Sequence, residues 1–295
     1  MYVSHLTLKN WRNFRDVNVA LGRRIFLIGP NASGKSNLLD VFRFLRDIAK
    51  AGGGGLQQAI SDHGGFSSIR CLAARRYPDI EISVEFRDEQ GKEDIEPPQW
   101  SYSLGIKQRP RGDRRPYVAY EKVVHNANHV LIRPNAEDKS DEPRLTQTYL
   151  EQINANADFR EIAKYFESIC YLHLVPQLTR HPREFSGPGL TGDPFGRSFL
   201  ERIGKTPERT RNARLKLIEQ ALRVAVPQLK QLSYIVDAEE GGIPHLEAVY
   251  EHWRPHAGRQ RERDFSDGTL RLIGLFWCLL ENDSLLLLEE PELSL

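Results

Sequence analysis

The sequence has almost no net charge and no apolar run long enough to cross a membrane. Its 41 lysines and arginines are balanced by 40 aspartates and glutamates, which leaves a formal net charge of +1. Overall charge therefore predicts no attraction to nucleic acid or membrane, and any basic surface must be local. The longest apolar run, residues 272–280, is too short for a bilayer span, and the N-terminal residues lack a signal-peptide pattern. We expect a cytoplasmic protein without a membrane partner.

Cysteine is scarce, and sequence repeats are absent. Cys71, Cys170 and Cys278 are the only cysteines, and each lies within or beside an apolar stretch. An odd count without metal-ligand spacing argues against a disulfide framework and a zinc site, so we expect buried, reduced thiols. The absence of internal repeats and heptads excludes long coiled-coil arms. A hydrophobic content of 40% is typical of a globular protein with one large α/β domain or two smaller ones.

The most informative segment that is present is residues 29–36, which reads Gly-Pro-Asn-Ala-Ser-Gly-Lys-Ser. It matches the phosphate-binding loop (P-loop) pattern, in which backbone N–H groups surround phosphates, Lys35 reaches the β- and γ-phosphates, and the Ser36 hydroxyl binds Mg²⁺. The apolar run 24–28 predicts a buried strand before the loop, and the apolar spacing of 37–45 predicts a helix after it. This order points a helix N-terminus at an anion, which disfavours a chance match in a glycine-rich loop. The segment predicts a nucleoside triphosphate site.

The middle of the chain predicts an antiparallel β lobe followed by a helical and irregular insertion. Alternating residues separated by turn formers predict consecutive strands at 80–86, 100–107, 117–125 and 130–133. The polar, proline-containing segment 135–144 predicts a mobile loop. Further along, we expect a helix at 159–169, a strand at 171–175 ending at Pro176 and Gln177, a helix at 207–222, and a hairpin formed by 232–238 and 245–253. We divide the chain into a P-loop and antiparallel β lobe (1–175), a helical or irregular insertion (176–231), and a C-terminal segment (232–295).

Two motifs near the C-terminus have the chemistry of a nucleotide site. Phe-Ser-Asp-Gly-Thr-Leu-Arg at 265–271 opens an apolar helix, where a hydroxyl, backbone N–H groups and the positive helix end suit a phosphate. Serine and aspartate are also ordinary N-caps, so a plain capped helix is the alternative. Residues 285–288 are four leucines that predict a strand buried on both faces, and Glu289 and Glu290 follow it. Such carboxylates can hold Mg²⁺ or activate water, although a solvated acidic turn is the alternative.

These motifs, in this order, resemble the Walker A, signature and Walker B motifs of ABC-type P-loop ATPases. The closest resemblance is to the RecF/SMC-like branch, which includes the ATPase domain of OLD family nucleases. It rests on residues 6–14 (Leu-Thr-Leu-Lys-Asn-Trp-Arg-Asn-Phe), 29–37, 265–271 and 285–292. The resemblance spans the whole chain and implies an α/β, P-loop NTPase (ABC-ATPase-like) head with an antiparallel β lobe and a helical insertion.

The resemblance also implies a mechanism in which two heads enclose two ATP molecules as a homodimer. Ser266 and Gly268 would then contact the γ-phosphate of the partner head's nucleotide. Glu290 would be the catalytic base, and Glu289 would stand where the family usually has a metal-associated aspartate, a departure that changes the reach to Mg²⁺. Gln177 would correspond to the Q-loop glutamine that senses Mg²⁺ and the attacking water; a surface glutamine beside a proline is the alternative. The implied ATP-binding residues are Gly29, Asn31, Ala32, Ser33, Gly34, Lys35, Ser36 and Asn37, together with Arg12, Asn13 and Phe14.

The chain ends three residues after Glu292, whereas in the resembled fold a further helix and strand follow Walker B. The resemblance therefore implies that the C-terminal part of the core sheet is missing. We expect a fragment, a truncated product or a subunit completed by another polypeptide, with impaired ATP turnover.

The resemblance implies a DNA-associated ATPase in repair, chromosome maintenance or phage defence, working with a nuclease or other effector. Local basic clusters support DNA contact, although such loops are more often solvated surface. Those clusters contain Lys107, Arg109, Arg111, Arg114 and Arg115 in one loop, and Arg254, Arg259, Arg261 and Arg263 before the signature. The alternative is a regulatory or scaffold subunit that binds ATP without significant turnover. A transporter subunit fits poorly, since no membrane segment is present.

Overall fold

The computed structural model describes residues 1–73, 79–88, 97–109, 114–181, 193, 195–237, 242–252, 258–281 and 284–290. The chain forms two compact units, residues 1–169 and 170–295, and each is described by itself. Arg111 and Arg254 of the basic clusters, and Pro291 and Glu292 of the Walker B motif, lie outside the described residues. The segmentation into 1–175, 176–231 and 232–295 stays a prediction.

The first unit is built on a six-stranded antiparallel sheet with the order β2-β1-β3-β4-β5-β6. Its strands are β1 (Tyr2–Trp11), β2 (Phe14–Ala20), β3 (Ile80–Arg87), β4 (Trp100–Gln108), β5 (Pro116–His125) and β6 (Asn128–Arg133). Burial alternates strictly along β3, as expected for a strand with one face on the core. The predicted meander is confirmed.

Five helices accompany this sheet within the described residues: α1 (Lys35–Ala49), α2 (Leu56–Asp62), α3 (Phe66–Ile69), α4 (Ala136–Ser140) and α5 (Arg160–Glu167). The helices predicted after the P-loop and at 159–169 are confirmed as α1 and α5. The core contains Trp11, Phe44, Phe86, Tyr102 and Phe166, all completely buried. Phe86 and Phe166 meet edge to face, with ring centroids 5.6 Å apart. Aromatic packing between sheet and helix therefore holds α5 in place.

The prediction of a mobile loop at 135–144 is wrong. Asn135 and Asp138 form a reciprocal capping box that starts α4, and residues 142–146 continue as a 3₁₀-helix. The fully buried guanidinium of Arg133 pairs with Asp138 at 2.8 Å and with Glu121 at 2.9 Å. The polar composition that suggests a loop instead supplies the cap and a buried ion-pair network.

The prediction of a buried strand at 24–28 is also wrong. These residues form no strand, and Phe26 and Ile28 are 84% and 94% exposed. An apolar run becomes a buried strand only where neighbouring strands satisfy its backbone groups and cover its faces. Among the described residues, no strand pairs with this segment.

The second unit combines a two-stranded parallel sheet, a three-stranded antiparallel sheet and four α-helices within the described residues. Its strands are β7 (Cys170–Leu172), β8 (Leu229–Asp237), β9 (Ile243–Tyr250), β10 (Arg259–Arg261) and β11 (Leu286–Leu288). Its helices are α6 (Pro176–Arg180), α7 (Phe199–Lys205), α8 (Glu208–Ala225) and α9 (Asp267–Glu281). One apolar cluster, with Trp277 completely buried, joins α7, α8, α9 and β8.

The predicted helix at 207–222, the hairpin and the signature helix are confirmed as α8, β8–β9 and α9. The strand predicted at 171–175 is shorter, because β7 ends at Leu172 and Pro176 starts α6. Three of the four leucines, Leu286–Leu288, form β11, but only Leu287 is fully buried, since within the described residues the strand has β7 as its single neighbour. In the part of the chain that the structure describes, no helix is both long enough and apolar enough to cross a membrane.

Candidate nucleotide-binding site

The P-loop ends at a glycine in the left-handed conformation. Gly34 has φ 104° and ψ 10° and immediately precedes α1, and Ala32 also has a positive φ of 63°. The backbone N–H of Leu38 donates to the Gly34 carbonyl at 3.0 Å, so the helix starts directly from the loop. This geometry directs the unsatisfied N–H groups of the first helical turn toward the loop, as an anion site requires.

The Lys35 side chain folds back over the loop. Its Nζ donates to the carbonyl oxygens of Gly29 at 2.8 Å and Pro30 at 3.0 Å. Asn31, Ala32, Ser33 and Ser36 are exposed in the same loop or at its helix start. The structure thus brings the P-loop residues predicted from the sequence together around one positive charge, with Ser36 exposed at the start of α1.

The tip of the β1–β2 hairpin packs against the P-loop. Asn13 contacts it from both ends of its amide: Nδ2 donates to the Ser33 carbonyl at 3.4 Å, and Oδ1 accepts from Asn37 at 2.8 Å. The indole of Trp11 donates to the Asn37 carbonyl at 2.9 Å. A Cβ atom on Gly34 would overlap the Asn13 amide and come within 2.9 Å of the Phe14 ring. Asn13 and Phe14 therefore lie beside the loop, and their contact with nucleotide stays a prediction.

Arg12 has a different environment from its two neighbours at the hairpin tip. Its Nε donates to Asp40 of α1 at 2.6 Å, and the side chain is largely buried. The guanidinium thus ties the hairpin to α1. Its predicted contact with nucleotide stays a prediction.

A buried histidine network behind the P-loop was missed by sequence reasoning. His63 lies between two aspartates of α1, with Nδ1 3.1 Å from Asp40 Oδ2 and Nε2 3.0 Å from Asp47 Oδ2. Burial opposes the charged imidazolium, but the hydrogen bonds to both carboxylates outweigh it and raise the pKa of His63. Burial likewise opposes ionisation of the two carboxylates, and His63 together with Arg12 or Arg46 lowers the pKa of each. An aspartate spacing of seven residues on one helix face was the available signal.

In the second unit, Ser266 starts the signature helix. Its Oγ accepts from the Thr269 N–H at 3.1 Å, and its carbonyl accepts from Leu270 N–H at 3.1 Å. Asp267, in the first turn, pairs with Arg180 of α6 at 2.6 Å. Ser266 is exposed and Gly268 is half-buried in the first turn of α9. Ser266 therefore caps the helix, as the plain capped-helix alternative predicts, and the contact of Ser266 and Gly268 with a phosphate stays a prediction.

The parallel pairing of β7 and β11 brings polar groups to one sheet edge. Leu288 lies opposite Leu172, so Glu289 emerges beside the end of β7. The buried Tyr171 hydroxyl donates to the Glu289 carboxylate in a short hydrogen bond, and His173 Nδ1 is 3.2 Å from the Glu289 carbonyl. Sequence reasoning did not identify Tyr171 and His173, because their contacts depend on the register between β7 and β11.

Glu290 is exposed and has a positive φ of 48°. Its carbonyl accepts from Arg271 of α9 at 3.3 Å. Gln177 is exposed in the first turn of α6 and does not end a strand, which corrects the position given to it from the sequence. Its predicted role in sensing Mg²⁺ stays a prediction.

The donor types fit a magnesium–nucleotide ligand. Among the described residues there is no cluster of three or more His, Cys, Asp or Glu side chains that could hold a metal alone. Mg²⁺ in phosphate-binding sites uses one or two protein oxygens, substrate phosphates and waters. Ser36 in the first unit and Glu289 in the second each carry an oxygen donor of that kind.

The sequence model of the family described as "AAA domain, putative AbiEii toxin, Type IV TA system" (AAA_21) matches residues 24–295. This range holds both the P-loop and the paired carboxylates. The chain belongs to this family. The predicted resemblance to ABC-type P-loop ATPases of the RecF/SMC branch and the predicted α/β fold class are thereby confirmed.

Curated relatives are similar to this chain over only part of their own length. The DNA replication and repair protein RecF of Chloroflexus aggregans is 48% identical over 150 residues, which are 45% of this chain and 34% of RecF. Endonuclease GajA of Bacillus cereus is 45% identical over 47 residues, which are 16% of this chain and 8% of GajA. The chain thus spans about a third of RecF. The solved Smc head bound to the C-winged helix domain of ScpA gives a TM-score of 0.49 at 16% identity, covering 95% of this chain and 76% of that chain.

Proposed function

We propose that this chain binds ATP with Mg²⁺ and hydrolyses it as a RecF/SMC-like ATPase. The observation that carries the proposal is the loop itself: a left-handed Gly34 opens α1, and Lys35 Nζ caps the loop carbonyls at 2.8 and 3.0 Å. An ammonium held by two carbonyls can exchange them for phosphate oxygens without moving far. The charge-assisted bonds formed to phosphate are stronger than the bonds they replace.

The roles of the individual residues follow from chemistry and motif order. Lys35 binds the β- and γ-phosphates, and Ser36 and Glu289 contribute oxygens to Mg²⁺. Glu290 accepts the proton of the attacking water, with Gln177 orienting water and metal. Ser266 and Gly268 serve the γ-phosphate of a second copy, so hydrolysis requires a homodimer that closes on ATP. Catalysis then depends on positioning and electrostatic stabilisation, as in other phosphoryl transfers.

The biological setting that we propose is DNA repair or phage defence in the cytoplasm. One relative is named a DNA replication and repair protein and another an endonuclease, which supports DNA as a partner and a nuclease as an effector. ATP-dependent dimerisation would then act as a switch that reports nucleotide state to the effector.

The test measures ATP binding with a fluorescent ATP analogue, ATP turnover by phosphate release, and mass in solution. We expect Lys35→Ala to weaken ATP binding about tenfold to a hundredfold, because a charge-assisted hydrogen bond contributes about 1.5–3 kcal/mol. Glu290→Gln should keep ATP binding, lose turnover and accumulate the ATP-bound dimer. Lys50→Ala is the matched control, since Lys50 directly follows α1 at its far end. Unchanged ATP binding by Lys35→Ala would contradict the proposal.

A second candidate is a regulatory subunit that binds ATP without significant turnover. It is favoured by the Tyr171 hydrogen bond to the Glu289 carboxylate, which competes with metal coordination, and by the exposed segment 24–28. This candidate predicts ATP-dependent partner recruitment that Glu290→Gln leaves unchanged, with no turnover in the unaltered chain. Turnover that Glu290→Gln abolishes would exclude it.

A further inference from the structure

Two of the three cysteines meet inside the second unit. Cys170 is the first residue of β7, and Cys278 lies in the last turn of α9. Cys278 belongs to the apolar cluster around Trp277, and Cys170 packs against that cluster. The two thiols are reduced and hydrogen-bonded to each other, and we call them the thiol pair. Cysteine side chains that point at each other in this way can be bridged with little backbone movement.

The two members of the thiol pair differ in exposure. Cys278 is 1% exposed, whereas Cys170 is only partly buried. The hydrogen bond to Cys170 and, after it, burial raise the pKa of Cys278, so this residue stays a thiol at neutral pH. Because oxidation of a cysteine follows its access to solvent and its thiolate character, a small oxidant reaches and attacks Cys170 first.

A positive charge borders the thiol pair. Arg202 of α7 donates from Nη2 to Cys278 Sγ at 3.4 Å, and its Nε lies 3.4 Å from the Glu281 carboxylate. Burial opposes the charge of this guanidinium, but both thiols and Glu281 raise the pKa of Arg202. A neighbouring guanidinium favours the thiolate form, and such electropositive surroundings distinguish reactive cysteines from inert buried ones.

We propose that the thiol pair is a reversible redox site, in which Cys170 and Cys278 form a disulfide when hydrogen peroxide or another hydroperoxide is present. Cys170 Sγ attacks one oxygen of hydrogen peroxide, the O–O bond breaks, the sulfur becomes a sulfenic acid, and the other oxygen leaves as water. Cys278 Sγ then attacks the Cys170 sulfur. The S–S bond forms, the S–O bond breaks, and the hydroxide leaves as water with the Cys278 proton. The two thiols lose two electrons and two protons, and one hydrogen peroxide is reduced to two waters.

The disulfide joins two elements that are distant in sequence. It connects β7, which continues into Tyr171 beside Glu289, to α9, which Ser266 caps. Closing the long loop between residues 170 and 278 restricts the unfolded chain, so oxidation should stabilise the second unit. A dithiol reductant reverses the bond by thiol–disulfide exchange. The inference goes beyond the proposed function and does not depend on ATP binding or turnover.

The main test uses the unaltered full chain. The reduced protein is treated with hydrogen peroxide, its remaining thiols are alkylated under denaturing conditions, and the intact mass and the digested peptides are measured. We expect one alkylated thiol, that of Cys71, and a peptide that joins Cys170 to Cys278. Dithiothreitol should restore three alkylated thiols. Three alkylated thiols after peroxide, a cross-link that includes Cys71, or oxygen gained at the pair that the reductant does not remove would each overturn the proposal.

Cysteine variants test the order of the two steps. Cys71→Ser is the matched control, since Cys71 is a buried cysteine of the first unit, and this variant should keep the cross-link. Cys278→Ser should form no cross-link and should accumulate a sulfenic acid at Cys170, which dimedone traps. Cys170→Ser should leave Cys278 as an unmodified thiol. Dimedone trapping at Cys278 in place of Cys170 would overturn the assigned order.

A thermal melt gives a second readout. Oxidation should raise the Tm of the unaltered chain and of Cys71→Ser by about 5 °C or more, because the disulfide restricts the unfolded state. The same treatment should leave the Tm of Cys278→Ser unchanged. Each comparison is made between the oxidised and reduced forms of one protein, so a variant that is less stable still serves. An equal rise in Cys278→Ser would attribute the effect to another modification and overturn the stabilising role of the disulfide.

Discussion

Gly34 combines two demands on a single residue of the P-loop. Its φ of 104° lies in the left-handed region, which costs an L-residue about 1–2 kcal/mol. In addition, the space where a Cβ would stand is occupied by the Asn13 amide and the Phe14 ring. The glycine of the motif is therefore required for hairpin packing as well as for the approach of phosphate.

Gly34→Ala is expected to reduce ATP affinity about tenfold or more, because relieving the overlap moves either the hairpin tip or the start of α1. The measurement is titration with the fluorescent ATP analogue, together with a thermal melt. Gly52→Ala is the matched control: Gly52 also has a positive φ, 76°, but nothing lies within 4 Å of its added Cβ. Equal losses of ATP affinity in both variants would attribute the effect to backbone strain and contradict the packing argument.

Among individual residues, the sequence predicts the positions of those whose partners lie within the same short motif. The P-loop residues lie together because eight consecutive positions define the loop. By contrast, Tyr171 and His63 meet their partners through long-range register and helix packing, 118 and 23 residues away. A local pattern such as the Asp40–Asp47 spacing marks a polar helix face but does not name the partner, so the sequence predicts Glu289 as a site residue but not the hydroxyl that binds it.

Helix α1 starts directly from the P-loop, and buried ion pairs and hydrogen bonds anchor the rest of the helix. Arg12, Asp40, His63, Asp47 and Arg46 form a continuous chain of ion pairs and hydrogen bonds that crosses from the hairpin to the end of α2. His63 has a raised pKa, so its positive charge persists above the usual value of 6.5. The network stabilises the fold while that charge is present.

His63→Gln is expected to lower the free energy of unfolding by about 1.5–3 kcal/mol at about pH 6, where hydrogen bonds to a charged group are lost. A raised folded-state pKa contributes stability that is complete below the unfolded value of 6.5 and is lost as pH rises through the folded-state pKa. The difference from the unaltered chain should therefore shrink toward about pH 9. Denaturant unfolding at both pH values measures it.

Asp40 and Asp47 have lowered pKa values and stay charged across that whole range, so their titration does not contribute. His129→Gln, at an exposed histidine, is the control and should change stability little at either pH. A difference for His63→Gln that grows with pH would show that the imidazole is neutral in the folded protein.

A helix or strand can be predicted from the sequence where its own pattern of apolar residues determines which face is buried. It cannot be predicted where neighbouring elements determine its burial. The strict alternation of β3 predicts its strand, since one face meets the core. The apolar run 24–28 has the composition of a buried strand, but it has no partner strand among the described residues. For segment 135–144 the prediction of a loop is wrong for the opposite reason: its polar side chains form ordered structure, because they bind Arg133 and cap α4.

At the scale of the whole molecule, each unit has its own hydrophobic core. The core cluster around Trp277 consists entirely of residues from the second unit. In the first unit, Trp11, Phe44 and Phe86 are completely buried between the sheet and its helices. A domain of the size of the first unit, residues 1–169, buries about two thirds of the surface that its unfolded chain exposes, which suffices for independent folding.

Residues 1–169, produced alone, are therefore expected to fold and to unfold in one cooperative transition. Trp11 and Trp100, the two tryptophans of this unit, are both buried and report its core by fluorescence. Denaturant curves from fluorescence and from far-UV circular dichroism should coincide, as two-state unfolding requires. Val84→Asp places a charge in the fully buried centre of β3 and should abolish the transition, whereas Ser83→Thr on the other face should keep it. Separate transitions by the two probes, or a broad one, would mean that the first unit requires residues 170–295 to complete its core.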